Sequence, residues 1–189
     1  APSFQPTLEF SYGGFTFGTW GAYSIGNAAS VLSEQDIYAS YTVETSASGA
    51  FTLGVTDYYY ASKGKFGNFD DKKGSPHVVE ASLGYSGPEK LPVSLLLAVN
   101  VFNDEDNTFY AEIGYSATVE DVGLNFFLGM TPGGEKAVYY GTEKFNVINI
   151  GVTATKEIKI TENFSLPVFA SWIVNPNQEV SALVFGVSL

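Results

Sequence analysis

Apolar and polar residues alternate along most of this chain. Residues 109–118 (FYAEIGYSAT) set the pattern, with Phe109, Ala111, Ile113, Tyr115 and Ala117 in one phase and Tyr110, Glu112, Gly114, Ser116 and Thr118 in the other. Successive side chains of a strand point to opposite faces, so such a stretch is an apolar wall backed by a polar one. The alternation recurs at 7–12, 15–25, 36–44, 50–61, 78–85, 107–118, 145–158, 164–174 and 179–189. Residues 93–102 are apolar on both faces except for Ser94 and Asn100, and 122–130 form one more apolar-rich segment. About eleven strands follow from this periodicity, with no linker or composition break, so one domain over residues 1–189 is expected.

Two architectures use such strands. A soluble sandwich turns the apolar wall into its core, whereas a membrane barrel turns it outward to lipid and keeps the polar wall inside. The connections discriminate between them. Laid up and down alternately, the long stretches 26–35, 62–77 and 131–144 all fall at one end, whereas Gly13-Gly14, TSASG, GPEKL, VED and KITEN lie at the other. Outer-membrane barrels have this asymmetry, and Greek-key crossings give no reason for it. The short NDED and NPNQ connections are exceptions at the long-loop end.

The polar wall points the same way. Its residues are mostly Gly, Ser, Thr and Tyr with single carboxylates, a set suited to a crowded lumen. Asp57 is the exception, because it shares the outward phase of Phe51, Leu53 and Val55. Either the strand bulges there or it has left the hydrocarbon layer. Tyr58, Tyr59 and Tyr60 then read as an interfacial tyrosine girdle. Trp20 and Trp172 are further girdle candidates, with packing on the sheet as the alternative.

Eleven strands cannot close a barrel in which every neighbouring pair is antiparallel. The expected fold is therefore an all-β, transmembrane, antiparallel up-and-down barrel of twelve strands, the first upstream of Ala1. The alternative is ten strands, with the first short segment folded aside as a plug or cap.

Composition narrows the function. Charged residues make up only 15% and aromatics also 15%. No apolar run is long enough for a membrane-spanning helix. The absence of cysteine removes disulfides, thiolate metal sites and cysteine nucleophiles. A net charge of −11 argues against a nucleic-acid partner, which requires a basic surface.

The segments QPTLEFSYGGFTFGTWGAYS, EQDIYASYT, TDYYY, HVVEASLGY, YAEIGYS, NVINIGVTATKEIKIT, FSLPVFASWIVNP and VFGVSL occur in order over nearly the whole chain. Together they resemble the TorF-like porins, conserved hypothetical outer-membrane β-barrel proteins, in the form found in the Bacteroidetes. The resemblance implies a Gram-negative outer-membrane barrel with an additional strand before the PSxQP segment, and it brings no catalytic residues. Phe185, Val187 and Leu189 stand where a C-terminal assembly signal belongs, with Leu189 in place of the usual terminal aromatic.

Candidate chemistry is sparse. Glu9, Asp36, Glu80 and Glu112 share the inward phase, where they would favour cations in an open lumen or pair across a filled one. Leu96, Phe102 and Phe127 fall on the same phase as candidates for a constriction. His77 follows Ser75 by two residues, which fits either a lipid-modifying dyad or a plain loop histidine beside a proline. Asp70-Asp71 and Asp104-Glu105-Asp106 are either solvated loop tips or oxygen sites for Ca²⁺ or Mg²⁺ bridging lipopolysaccharide. The expected protein is a narrow passive pore in the bacterial outer membrane with weak cation preference. It is not expected to be an enzyme, and no cofactor or metal is expected. Its expected partners are outer-membrane lipid and lipopolysaccharide, with other outer-membrane proteins if the barrel is instead a non-conducting accessory subunit.

Overall fold

The computed structural model of the protein describes residues 2–25, 33–70, 74–137 and 139–188. The alternating segments form one antiparallel sheet of twelve strands. These are β1 (Ser3–Phe4), β2 (Thr7–Tyr12), β3 (Phe15–Ser24), β4 (Ser33–Thr45), β5 (Gly49–Tyr60), β6 (His77–Ser86), β7 (Val93–Phe102), β8 (Phe109–Val119), β9 (Val122–Thr131), β10 (Asn146–Thr161), β11 (Phe164–Asn175) and β12 (Val180–Val187). From β3 onward each strand pairs with the next in sequence, an up-and-down order.

β1 and β2 occupy a single lane. Both pair with β3 in one continuous register, Phe4 opposite Tyr23 and Thr7 opposite Trp20. Pro6 separates them. Its carbonyl accepts from the Gly21 N–H, but proline has no N–H to return, so the ladder is interrupted there. The twelve strands therefore make eleven lanes, and the first segment lies in the sheet rather than folded aside. The pairing does not close, because β2 pairs with β3 and β12 with β11 but not with each other. Both edge strands run from the long-connection end towards the short-turn end, so they are mutually parallel.

Almost nothing apolar is buried. Among the described residues the buried apolar set is Val78, Ala98 and Ile148, with Pro76 beside His77, while Leu8, Phe10, Leu53, Leu83, Leu97, Ile113, Phe126 and Leu183 stand exposed along successive strands. Cross-strand register carries this apolar surface sideways, Tyr41 to Leu53, Leu53 to Leu83, and Leu83 to Leu97. Water-soluble monomers rarely expose contiguous apolar patches larger than a few hundred Å². A sandwich would have buried this wall, and among the described residues no second sheet covers it.

The opposite, polar face is where side chains interlock. Tyr38 lies against Gly18 and Phe127 against Gly151, its direct cross-strand partners. Phe169 lies against Gly186 in the same way, while Tyr110 leans diagonally over Gly129. Glycine leaves each ring room to lie flat on the neighbouring strand, the arrangement by which aromatic residues rescue sheet glycines. A methyl group at Gly151 would come within 2.3 Å of the Phe127 ring and 2.6 Å of the Trp172 carbonyl oxygen. The carbonyl belongs to the backbone and cannot swing aside. Gly151→Ala is therefore expected to destabilise the fold by about 1–3 kcal/mol, measured as a shift of the urea unfolding midpoint.

Candidate functional site

The sheet has two chemically distinct ends. Short turns close 13–14, 46–48, 120–121 and 162–163, whereas 61–76 and 132–145 are long connections at the other end. The connection at 26–32 lies outside the described residues, as does Asp71. Asp121 marks the short-turn end, where the hydrogen bond from the Lys156 ammonium holds its carboxyl below the usual carboxylate range.

At the long-connection end, residues 61–70 fold back over the outward side of β5 and β6, bringing Phe66 and Phe69 to His77. His77 fastens this segment. Its ring is fully buried, Nδ1 donating to the Asp57 carboxylate at 2.9 and 3.0 Å and Nε2 donating to the Phe66 carbonyl at 2.7 Å. A carboxylate and a carbonyl both accept, so the ring serves as a donor through both nitrogens. Phe69 stacks on it at 4.0 Å between centroids, Tyr59 at 5.0 Å, and Phe66 meets it edge-on. Asn103, with the positive φ that asparagine tolerates, donates to the carbonyls of Ser75 and His77. Asp57 thus faces outward, as its phase requires, and His77, the first residue of β6, supplies its partner.

This geometry does not assemble Ser75 and His77 into a nucleophile and base. Ser75 Oγ donates to the Asn68 carbonyl and accepts from the His77 backbone N–H, while both nitrogens of the His77 ring are engaged elsewhere. A base must hydrogen-bond the proton it removes, and no such contact joins this pair.

The acidic tract 104–106 is likewise engaged, by its own loop and by Lys136 of the connection after β9. Burial raises the proton affinity of Asp104, but hydrogen bonds from Thr108 and Asn100 and from the Thr108 and Asp106 N–H groups outweigh it and hold the carboxyl below its ordinary range. Asp106 accepts from the Lys136 N–H, and Glu105 pairs with the Lys136 ammonium. Among the described residues, no three histidine or acidic side chains gather in a way that would hold a metal ion.

The polar face carries the remaining candidates. Glu9 accepts from the Tyr38 hydroxyl at 3.0 Å across the intervening β3. Glu80 accepts from Tyr58 at 3.1 Å, and Glu112 from Tyr110 at 2.5 Å and from Asn149 at 3.3 Å. Asp36 is 7% exposed, and its Oδ1 is a buried oxygen with no partner among the described groups. The four carboxylates do not form one cluster. Glu34 joins Asp36 and Glu80 on β4 to β6, where Asp36 feels the charges of both, while Glu112 stands on β8 and Glu9 on β2. Sequence reading passed over Glu34, although its position two residues before Asp36 puts it in the same phase.

Alternation places Tyr58 and Tyr60 on the polar face opposite Asp36 and Glu34, and Trp20 there opposite Asp36. Only Tyr59 and Trp172 of the proposed girdle stand on the outward side, Trp172 between Val152 and Leu183. Leu96 and Phe127 lie on the polar face, opposite Glu112 and Gly151. Phe102 does not. A bulge shifts the register between Val79 and Glu80, so Phe102 pairs with outward-facing Val79 instead of continuing the row of Asn100. Phe185 and Val187 are exposed on the outward side of the β12 edge, and Leu189 lies outside the described residues.

Tyr139 and Tyr140, in the connection after β9, reach over the polar face. Tyr139 shares a hydrogen bond of 3.2 Å with Tyr60, and Asn177 donates to the Tyr140 carbonyl. Burial, with neighbouring hydroxyls and carboxylates, pushes the Tyr139 and Tyr140 phenols well above the ordinary tyrosine range, so both stay neutral donors.

What these features define as a class is an open, inside-out antiparallel sheet with an acidic polar face. By its sequence the chain belongs to a family described as a bacterial protein of unknown function (Gcw_chp), whose model matches residues 1–166. No curated protein and no solved structure matches the chain.

Proposed function

We propose that this protein is an outer-membrane β-barrel acting as a narrow, weakly cation-preferring passive pore for small solutes. The observation that carries the reading is the inside-out sheet, with its apolar wall exposed from edge to edge and its carboxylates on the other side. Within a bilayer an open sheet edge is not tolerated, because unpaired N–H and C=O groups have no water to bond. The β2 and β12 edges are parallel, so one strand running the opposite way would pair antiparallel with both and complete a twelve-lane barrel. The resemblance to TorF-like porins, with their additional first strand, fits that completion. Among the described residues no helix is long and apolar enough to cross a membrane, which says nothing of a crossing by strands.

Cation preference follows from the wall. Glu9, Glu34, Asp36, Glu80 and Glu112 lie on the polar face, and within the strands no lysine shares that phase before Lys159, near the short-turn end of β10. Low-dielectric walls focus such a field. The test is single-channel recording in planar bilayers under a salt gradient, using the full-length chain. Discrete steps with a cationic reversal potential are expected, the selectivity falling in Glu80→Gln and Glu112→Gln. A folded, heat-modifiable barrel that carries no current would refute the pore. It would favour a non-conducting accessory subunit, a reading supported by the rings packed on Gly18, Gly151 and Gly186 and by the Tyr139–Tyr60 hydrogen bond.

A further inference from the structure

We infer that the polar face holds a binding site for a small organic ammonium group, centred on Asp36 between Trp20 and Tyr58. The first observation is the unpartnered Asp36 Oδ1, buried and without a hydrogen bond to any described group. Burying a carboxylate is costly unless a cation or donor compensates it. Its neighbours make the deficit larger, since Glu34, Asp57 and Glu80 all act on Asp36 as further negative charge. Asp57 is answered by His77, and Glu34 has Lys63 within electrostatic reach. Among the described residues, no ion pair reaches Asp36 or Glu80.

The second observation is what surrounds that charge. Register places Trp20 directly beside Asp36 on one strand and Tyr58 directly beside it on the other. Tyr58 gives its hydroxyl proton to Glu80, leaving the ring as a wall, and Tyr140 stands within electrostatic reach of both Tyr58 and Glu80. A compact metal ion requires several ligand oxygens at one point, and the described acids do not converge in that way. Carboxylates spread over two strands among aromatic rings suit a larger, weakly hydrated cation, which ring faces attract through their quadrupoles. The site would give the proposed pore its solute class, amines carried as ammonium ions. Its role in passage rests on the pore reading, but binding itself does not.

The test uses the full chain refolded in detergent with Trp172→Phe, which leaves Trp20 as the reporter beside Asp36. Tetramethylammonium chloride is titrated against sodium chloride at constant ionic strength. A saturable change in Trp20 emission is expected with tetramethylammonium at concentrations on the order of tenfold below any response to sodium. Asp36→Asn should weaken it at least about tenfold. Should that variant fail to fold, saturation transfer from the unaltered protein to the tetramethylammonium methyl protons gives a second readout, reduced by Glu80→Gln. A linear response, an equal response to sodium, or no transfer to the methyl protons overturns the site. The two readings fail separately, since a barrel that binds tetramethylammonium but passes no current loses the pore and keeps the site. One that conducts without saturable binding does the reverse.

Discussion

Leu53→Arg, in protein folded into lipid vesicles, is expected to lower stability by about 2–4 kcal/mol, the cost of an arginine on the lipid face near the bilayer midplane. Leu53 is 66% exposed, with Tyr41 and Leu83 as its cross-strand neighbours in the middle of the apolar surface. Nothing within the protein packs tightly enough on it to make the substitution expensive. If that wall met water, the change would fall within about 0.5 kcal/mol, as surface substitutions usually do. The measurement is reversible urea unfolding in vesicles, and a near-zero effect would overturn the lipid-facing reading of the whole wall. The wild-type exposure of this one leucine makes the two environments easy to tell apart.

Removing the His77 ring should produce the other large effect. His77→Ala leaves the Asp57 carboxylate without its only ion-pair partner among the described residues, opens the Phe66 carbonyl and takes away the surface on which Phe69 and Tyr59 stack. Breaking a buried pair from one side typically costs 3–5 kcal/mol. Asp57 keeps 21% of its side-chain surface exposed, so solvent screens part of the charge and about 3 kcal/mol is expected. The loss should be local. Hydrogen exchange should accelerate through the 61–70 segment while the β8–β11 ladders keep their protection. Uniform loss of protection would mean that His77 supports the sheet rather than the loop. Asp57→Asn offers a milder comparison, because an amide oxygen still accepts from Nδ1.

The position of Asp57 shows how sequence and structure divide the account. Period-two alternation put it on the outward side of β5, and there it stands, because a strand's side-chain phase is set by the backbone alone. What satisfies it was not legible. His77 lies twenty residues further along the chain, and only the fold-back of residues 61–70 brings Phe66 and Phe69 to the ring. Phe102 failed for a related reason, since a one-residue bulge in β7 is a register event between two strands and leaves no mark in the alternation of either. Tyr58 and Tyr60 show the converse, because a tyrosine run was read by composition as a girdle although alternation splits it between the faces.

By itself the sequence determined the strands from β2 onward, their up-and-down order, their two faces except at the β7 bulge, and the contrast between short and long connections. All of these follow from local periodicity and turn chemistry. Only the tertiary structure decided which carboxylates meet, leaving Glu112 with Tyr110 and Asn149 while setting Asp36 and Glu80 among tyrosines. Only it showed that, among the described residues, no second sheet covers the apolar wall, and that the two sheet edges run parallel and unpaired. Those properties depend on register and curvature across many strands, and pairing energies between distant segments are not written in the alternation of any one of them.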